Sequence, residues 1–223
     1  MERRIITTKD GSHTLEFPDK RGTYHSRHGA LEESRHVFLE AGLHHALQQF
    51  PGTALSVFEM GFGTGLNALL TALEAERLSL PIQYFTIEAF PLAAAEAAAL
   101  NYGELLGARA LFHHLHAAAW DMETKISDLF TIRKEEGMLQ ELQTTELFHV
   151  VYYDAFAPSS QPELWTADTF RIVYERLLPG GILTTYCSKT VVRNAMQEAG
   201  FVITKPPGPW GKREMVRAYR PRE

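Results

Sequence analysis

The sequence predicts an α/β fold: a mostly parallel β-sheet with helices on both faces. Three observations lead there. Short β-rich runs alternate with amphipathic helical segments from about residue 54 onward, and that alternation feeds a parallel sheet. Glycines crowd the point where the first of these strands passes into its helix, Gly61-Phe62-Gly63-Thr64-Gly65. The last two strands are joined only by Pro206-Pro207-Gly208-Pro209-Trp210-Gly211. A link that short suits an antiparallel pair, because a parallel crossover needs about a dozen residues or more.

The elements follow in order. Arg4–Thr8 and Thr14–Phe17 flank Asp10-Gly11, a hairpin signal. From Ala30 to Phe50, Leu31, Val37, Phe38, Leu39, Leu43 and Leu47 recur mostly at helical spacing until Pro51-Gly52 breaks the chain. Ala54–Met60 reads as a buried strand and Gly65–Glu76 as its helix. Ile82–Ile87 is a second strand, and Pro91–Leu100 is an Ala-rich helix with Pro near its start. The stretch 105–145 is less regular. Leu111–Ala119 and Ile126–Ile132 can each be strands, and Glu135–Leu142 a short helix. Phe148–Tyr153 is a continuous β-rich run, hence a central strand. Thr166–Leu178 is an amphipathic helix closed by Pro179-Gly180-Gly181. Ile182–Tyr186 is a strand, Val191–Ala199 a helix, and Phe201–Lys205 and Arg213–Tyr219 the last two strands.

The 223 residues, 45% hydrophobic and 22% charged, suit a globular chain with a core of its own. The expected division is a hairpin-and-helix extension over 1–50 and an α/β domain over 51–223. Cys187 is the one cysteine, which excludes an internal disulfide and a Cys-rich zinc site. The histidines show no H-x-x-x-H or H-E-x-x-H pattern, so no metal is expected. No apolar run approaches the roughly 20 residues that span a bilayer. Met1–Ile6 leads into no apolar stretch, so a cytoplasmic protein is expected. Net charge is −5, yet from Lys189 onward eight basic residues face only Glu198, Glu214 and Glu223. That tail is either a solvated face or a patch for phosphates.

The sharpest motif is Glu59-Met60-Gly61-Phe62-Gly63-Thr64-Gly65-Leu66-Asn67. It departs from the dinucleotide fingerprint G-x-G-x-x-G/A, because Leu66 stands where the small third residue belongs. It resembles motif I of the class I methyltransferases that use S-adenosylmethionine, a Rossmann-like fold. That cofactor carries no phosphate to cradle, and glycine lets the backbone approach it closely. Strand two ends at Glu88, where an acid accepts hydrogen bonds from ribose hydroxyls. Asp154, in Asp154-Ala155-Phe156-Ala157-Pro158, closes a central strand beside the glycine loop and so faces the reaction crevice. The competing reading for each is structural: a bare turn, a surface glutamate, a buried helix cap.

A set of segments in order extends the likeness: Tyr24-His25-Ser26, Glu32–Leu39, the glycine motif, Asp154–Pro158 with Pro162-Glu163-Leu164-Trp165, Pro179-Gly180-Gly181, Thr184-Thr185-Tyr186, Val192-Arg193, Ala199-Gly200-Phe201 and Gly208–Met215. On these the chain resembles the methyltransferase half of the MnmC-type enzymes that modify the tRNA wobble uridine, over about Tyr24 to Ala218. The resemblance implies S-adenosylmethionine as cofactor. It implies a tRNA anticodon arm as partner, with methylation of an aminomethyl amine on carbon 5 of the (2-thio)uridine. A separate enzyme would then make that amine, since no second G-x-G-x-x-G for a flavin half is present.

Expected cofactor residues are Glu59, Gly61, Gly63, Gly65, Asn67, Glu88 and Asp154, with Asp154 also catalytic. Lys189, Arg193, Lys212 and Arg213 are candidates for phosphates, and Tyr24, Phe156 and Trp165 for base stacking. Relatives carry Gly-Asp on the adenine side, where Ile132-Arg133-Lys134-Glu135 aligns here. Asp121 or Glu135 stands as the substitute. Two alternatives stay open: a methyltransferase of this fold acting on a small-molecule or protein amine, and a relic without catalysis.

Overall fold

The structure is a computed structural model that describes residues 3–17 and 22–222. Met1, Glu2 and Glu223, which the sequence reading touched, lie outside the described residues. The Asp-Gly turn makes the expected hairpin: β1 (Arg4–Thr7) pairs antiparallel with β2 (His13–Glu16), Ile5 opposite Leu15. The helical spacing after Ala30 produces one helical stretch: α1 (Ala30–Ser34), a π-helical middle (Arg35–His44) and α2 (His45–Gln49). Its Val37, Phe38 and Leu43 share a buried core with Val57, Leu69, Tyr152 and Ile182 of the α/β part.

That part is built on β3 (Leu55–Met60), β4 (Ile82–Glu88), β5 (Glu123–Lys125), β6 (Phe130–Glu136), β7 (Phe148–Tyr153), β8 (Leu177–Thr185), β9 (Val202–Thr204) and β10 (Val216–Tyr219). They form one sheet in the order β5-β6-β4-β3-β7-β8-β10-β9. The strands from β6 to β8 are parallel. β10 is antiparallel to both β8 and β9, as the short proline-rich link requires. Helices α3 (Leu66–Leu78), α4 (Ala94–Ala98), α5 (Tyr102–Leu105), α6 (Arg109–Ala117), α7 (Ala167–Glu175) and α8 (Thr190–Glu198) complete the fold. Alternate side chains of a strand point to opposite faces. Val57 accordingly enters one apolar core and Phe58 the other, where Phe170, Val192 and Met196 meet it.

Three expectations fail in the least regular stretch. Residues 111–119 are mostly helical, because α6 buries Phe112 and Leu115, three positions apart on one face. The strand expected at Ile126–Ile132 lies later, as β6, with Phe130, Ile132 and Lys134 buried on one side. Lys134 disguised it: the ammonium is buried, donates to the carbonyls of Leu115 and His116 at 3.0 Å each, and lies over the Trp120 ring. The helix expected at Glu135–Leu142 is instead the end of β6 and a single 3-10 turn, Leu139–Glu141. A smaller difference concerns Pro179-Gly180-Gly181. It does not close α7, which ends at Glu175, but forms an irregularity inside β8 where the pairing to β7 shifts register.

Strand order fixes where a ligand can sit. From β3 the chain first builds outward through β4 and β6, then returns to add β7 and β8 on the other side. The carboxyl ends of β3 and β7 therefore splay apart, and that crevice is the binding position of open α/β sheets.

Candidate active site

A cavity of about 380 Å³ occupies that crevice, within the roughly 300–1,000 Å³ of small-molecule sites. Its floor is the turn from β3 into α3. Gly61, Gly63 and Gly65 all have positive φ, at 90°, 50° and 73°, a region glycine enters without steric cost. Gly65 is the tightest: a Cβ there would stand 2.8 Å from His116 Nε2 and 3.1 Å from Phe62. Thr64 is held from two sides. His25 Nε2 lies 2.8 Å from its hydroxyl, and His116 Nε2 donates to its carbonyl at 3.1 Å. Burial drives both imidazoles down to about 4, so they stay neutral at physiological pH.

Glu88 closes β4 at the cavity's side. Its carboxylate accepts the Gly63 N–H at 2.9 Å and the Phe90 N–H at 2.8 Å. Beyond β6, Gly137–Glu141 forms the next wall. This segment lines the cavity and Ile132–Glu135 does not. Asp121 and Glu135 do not line the cavity: Asp121 accepts the Glu136 N–H at 3.3 Å, and Glu135 pairs with Arg133. Tyr24 and Phe156 meet edge-to-face at 4.9 Å and, with Phe17, make an aromatic wall.

Asp154 follows β7 and lines the same cavity. The Asn67 amide donates to its Oδ2 at 3.0 Å. Burial, and then the negative charge of Glu33, push its carboxyl up to about 7, while Asn67 and Lys212 pull the other way. Glu59 lies outside the cavity lining, 1% exposed, near Tyr84, Asn67 and Thr86 without a well-formed hydrogen bond. Burial lifts it well above the usual carboxylate range, which keeps it protonated.

The basic and aromatic candidates divide. Lys189 and Arg213 are exposed and Arg193 is half-buried with its guanidinium on Thr190 at 3.0 Å. Lys212 is partly exposed and already paired: its Nζ is 2.8 Å from Glu33 Oε1 and 4.0 Å from the Tyr186 ring centre. Trp165 is buried, with its indole N–H donating to the Phe156 carbonyl at 2.8 Å. It braces the Asp154–Pro158 loop instead of offering a face to a base, a correction to the stacking expectation. Sequence reasoning gave no role to His25, Glu33, His116 or Gly137–Glu141. His25 and Glu33 stood inside matched segments, and that was their only signal.

The cavity suits S-adenosylmethionine on its own features: a floor of positive-φ glycines that a Cβ would disturb, a strand-end carboxylate at Glu88, and a largely apolar lining. Comparison with known proteins agrees. Residues 98–221 match a family model described as S-adenosyl-L-methionine-dependent methyltransferase. The chain belongs to this family, and its cofactor is S-adenosyl-L-methionine.

Among its relatives are proteins named "tRNA 5-methylaminomethyl-2-thiouridine biosynthesis bifunctional protein MnmC". The one from Nitrosospira multiformis is 32% identical over 211 residues, 89% of this chain and 34% of the relative. The one from Acidovorax sp. is 32% identical over 238 residues, 100% of this chain and 36% of the relative. The chain thus spans about a third of the length of the curated relatives it matches. The crystal structure of MNMC2 from Aquifex aeolicus superposes with a TM-score of 0.80 at 23% identity, covering 100% of this chain and 71% of that one, which shows a shared fold.

Proposed function

We propose that this methyltransferase acts on tRNA. The acceptor is the primary amine of an aminomethyl group on carbon 5 of a wobble (2-thio)uridine, and the product is the methylaminomethyl form. The observation that carries this reading is the meeting, in one cavity, of the glycine floor with a buried carboxylate of raised proton affinity. The names of the MnmC relatives supply the acceptor class.

S-adenosylmethionine, when bound, supplies a methyl group already activated on a sulfonium. The remaining difficulty is the amine. With a lysine-like pKa near 10.4, only about one molecule in 10³ is neutral at pH 7. Asp154 at an ordinary carboxylate pKa is a weak base for such a proton. Raised to about 7, it makes the transfer easier by about 4 kcal/mol. Its carboxylate takes one proton from the ammonium and, held by Asn67, aims the lone pair that remains. Glu59, buried next to Asn67, has a raised proton affinity, which disfavours a second negative charge near Asp154.

Gly61, Gly63, Gly65 and Asn67 hold the amino-acid part of the cofactor, and Glu88 the ribose. Gly137–Glu141 covers the adenine. Tyr24 and Phe156 receive the extruded base. Lys189, Arg193 and Arg213 hold phosphates at the carboxyl end of β8. Residues 1–50 act as an acceptor-side extension, because they supply Tyr24, and residues 51–223 carry the cofactor. The aminomethyl amine is already on the tRNA before this step, in the cytoplasm where tRNA is modified.

The test is transfer of labelled methyl from S-adenosylmethionine to tRNA that carries the aminomethyl precursor, followed by nucleoside mass spectrometry. The expected product is the methylaminomethyl nucleoside. Transfer to a small amine or a protein, and not to tRNA, overturns the acceptor.

A further inference from the structure

The acceptor end of the cavity borders an ion pair for which the reaction outlined above has no use. Glu33, on α1, is 8% exposed. Its Oε2 accepts the Ser26 N–H at 2.8 Å, and its Oε1 accepts from Lys212 Nζ at 2.8 Å. Lys212 arrives from the β9–β10 link, 179 positions along the chain. Its ammonium sits 4.0 Å from the centre of the Tyr186 ring. The Tyr186 hydroxyl donates to the carbonyl of Ala155 at 2.9 Å, one residue past Asp154. Contacts therefore run from Glu33 through Lys212 and Tyr186 to the backbone that carries Asp154.

Stability alone is a poor reason for such a pair. The Lys212 side chain is 35% exposed and that of Glu33 10%, and solvent screening leaves such a pair little net stability. This one also ties three remote segments together next to the one carboxylate that faces the cavity from β7. Its two charges act on Asp154 in opposite senses. Glu33 repels the ionised carboxylate and Lys212 attracts it.

We infer that the Glu33–Lys212 pair is a positioning element for Asp154: through the Tyr186 ring it braces the loop that carries the carboxylate, and it presents one charge of each sign to that side of the cavity. The inference rests on Asp154 being the group that meets the amine. The other groups around Asp154 are the Asn67 amide from α3, Glu59 from β3, the Tyr84 hydroxyl from β4, Tyr102 from α5 and Tyr186 at the end of β8. Among the charged groups acting on Asp154, Glu33 raises and Lys212 lowers its proton affinity.

The experiment is a carboxyl-carbon NMR titration of the full chain with labelled aspartate. The Asp154 signal is assigned by its loss in Asp154→Asn. Glu33→Gln keeps the shape and the Ser26 bond and should move the Asp154 midpoint down by about one pH unit. Lys212→Met should move it up by a similar amount, and Lys212→Arg should restore it. Displacement in opposite directions is the signature, since a merely structural pair would shift both midpoints the same way or neither. Thermal melts establish that each variant is folded, and if Lys212→Met does not fold, Lys212→Gln replaces it. Methyl transfer to tRNA is followed on the same samples. Unmoved or like-signed midpoints with transfer intact overturn the inference alone. Opposed midpoints without transfer to tRNA by the unaltered protein support the inference and overturn the acceptor alone.

Discussion

The two halves of the cavity are built on different principles. The half proposed for the cofactor comes from three short, continuous segments: the glycine turn after β3, Glu88–Phe90 after β4, and Gly137–Glu141 after β6. Much of its shape is backbone, set by positive φ and by N–H groups that meet Glu88. The side proposed for the acceptor is lined by Tyr24, Phe156 and Asp154, with Glu33, Lys212 and Tyr186 linked to the Asp154 loop from outside the lining. Its character is charge: a carboxylate of raised proton affinity that Glu33 repels and Lys212 attracts. A backbone-built site fails by steric strain and a charge-built site by protonation. The two halves should therefore answer to different perturbations.

The largest effect should come from Asp154→Asn, which keeps shape and removes the base. Turnover should fall by about 10²- to 10⁴-fold, while calorimetry finds cofactor affinity within about threefold. Equal losses in both would erase the distinction between the halves.

Acid should then loosen the cofactor half through its clamps. His25 and His116 are held neutral with pKa values near 4, against about 6.5 when unfolded. The unfolded chain therefore binds more protons below pH 6.5. Stability that is fully present above 6.5 is lost as pH falls toward 4, by about 1–3 kcal/mol for each histidine. Denaturant titrations between pH 7.5 and 4 measure this, and His25→Gln should flatten the slope.

Gly65→Ala asks an L-residue to hold φ near 73° with its Cβ against His116. That should weaken cofactor binding by about 10- to 100-fold and leave saturated turnover within a few-fold. A large fall in turnover at saturating cofactor would show that the floor also orients the acceptor.

Glu88→Ala is the smaller change. Two backbone N–H groups lose their acceptor, and the ribose contact proposed for Glu88 is removed. Cofactor dissociation should strengthen about tenfold, with little change in turnover at saturation. Unaltered affinity would remove Glu88 from the cofactor half.

The same division explains what the sequence could tell. β7 was legible to the residue, because Phe148–Tyr153 is an unbroken β-rich run. The glycine turn, Glu88 and Asp154 were legible because each sits at a strand end, where local pattern and chemistry coincide. Lys134 misled, since a lysine at a core position reads as surface until the carbonyls it caps are seen. The run Leu111–Ala119 misled although it contains no β-branched residue, a sign in favour of helix. Glu33 and Lys212 were out of reach. Only the folded sheet brings the first helix and the last proline-rich link to one place, so Lys212 read as a cation for phosphate.

The account centres on one cavity that joins a cofactor half to a base. A crystal structure with S-adenosylhomocysteine tests this most directly. The account predicts the ribose hydroxyls on Glu88, the adenine against Gly137–Glu141, the amino-acid part over Gly61–Gly65, and the sulfur turned toward Asp154. The product bound elsewhere, or with its sulfur walled off from Asp154, would contradict it.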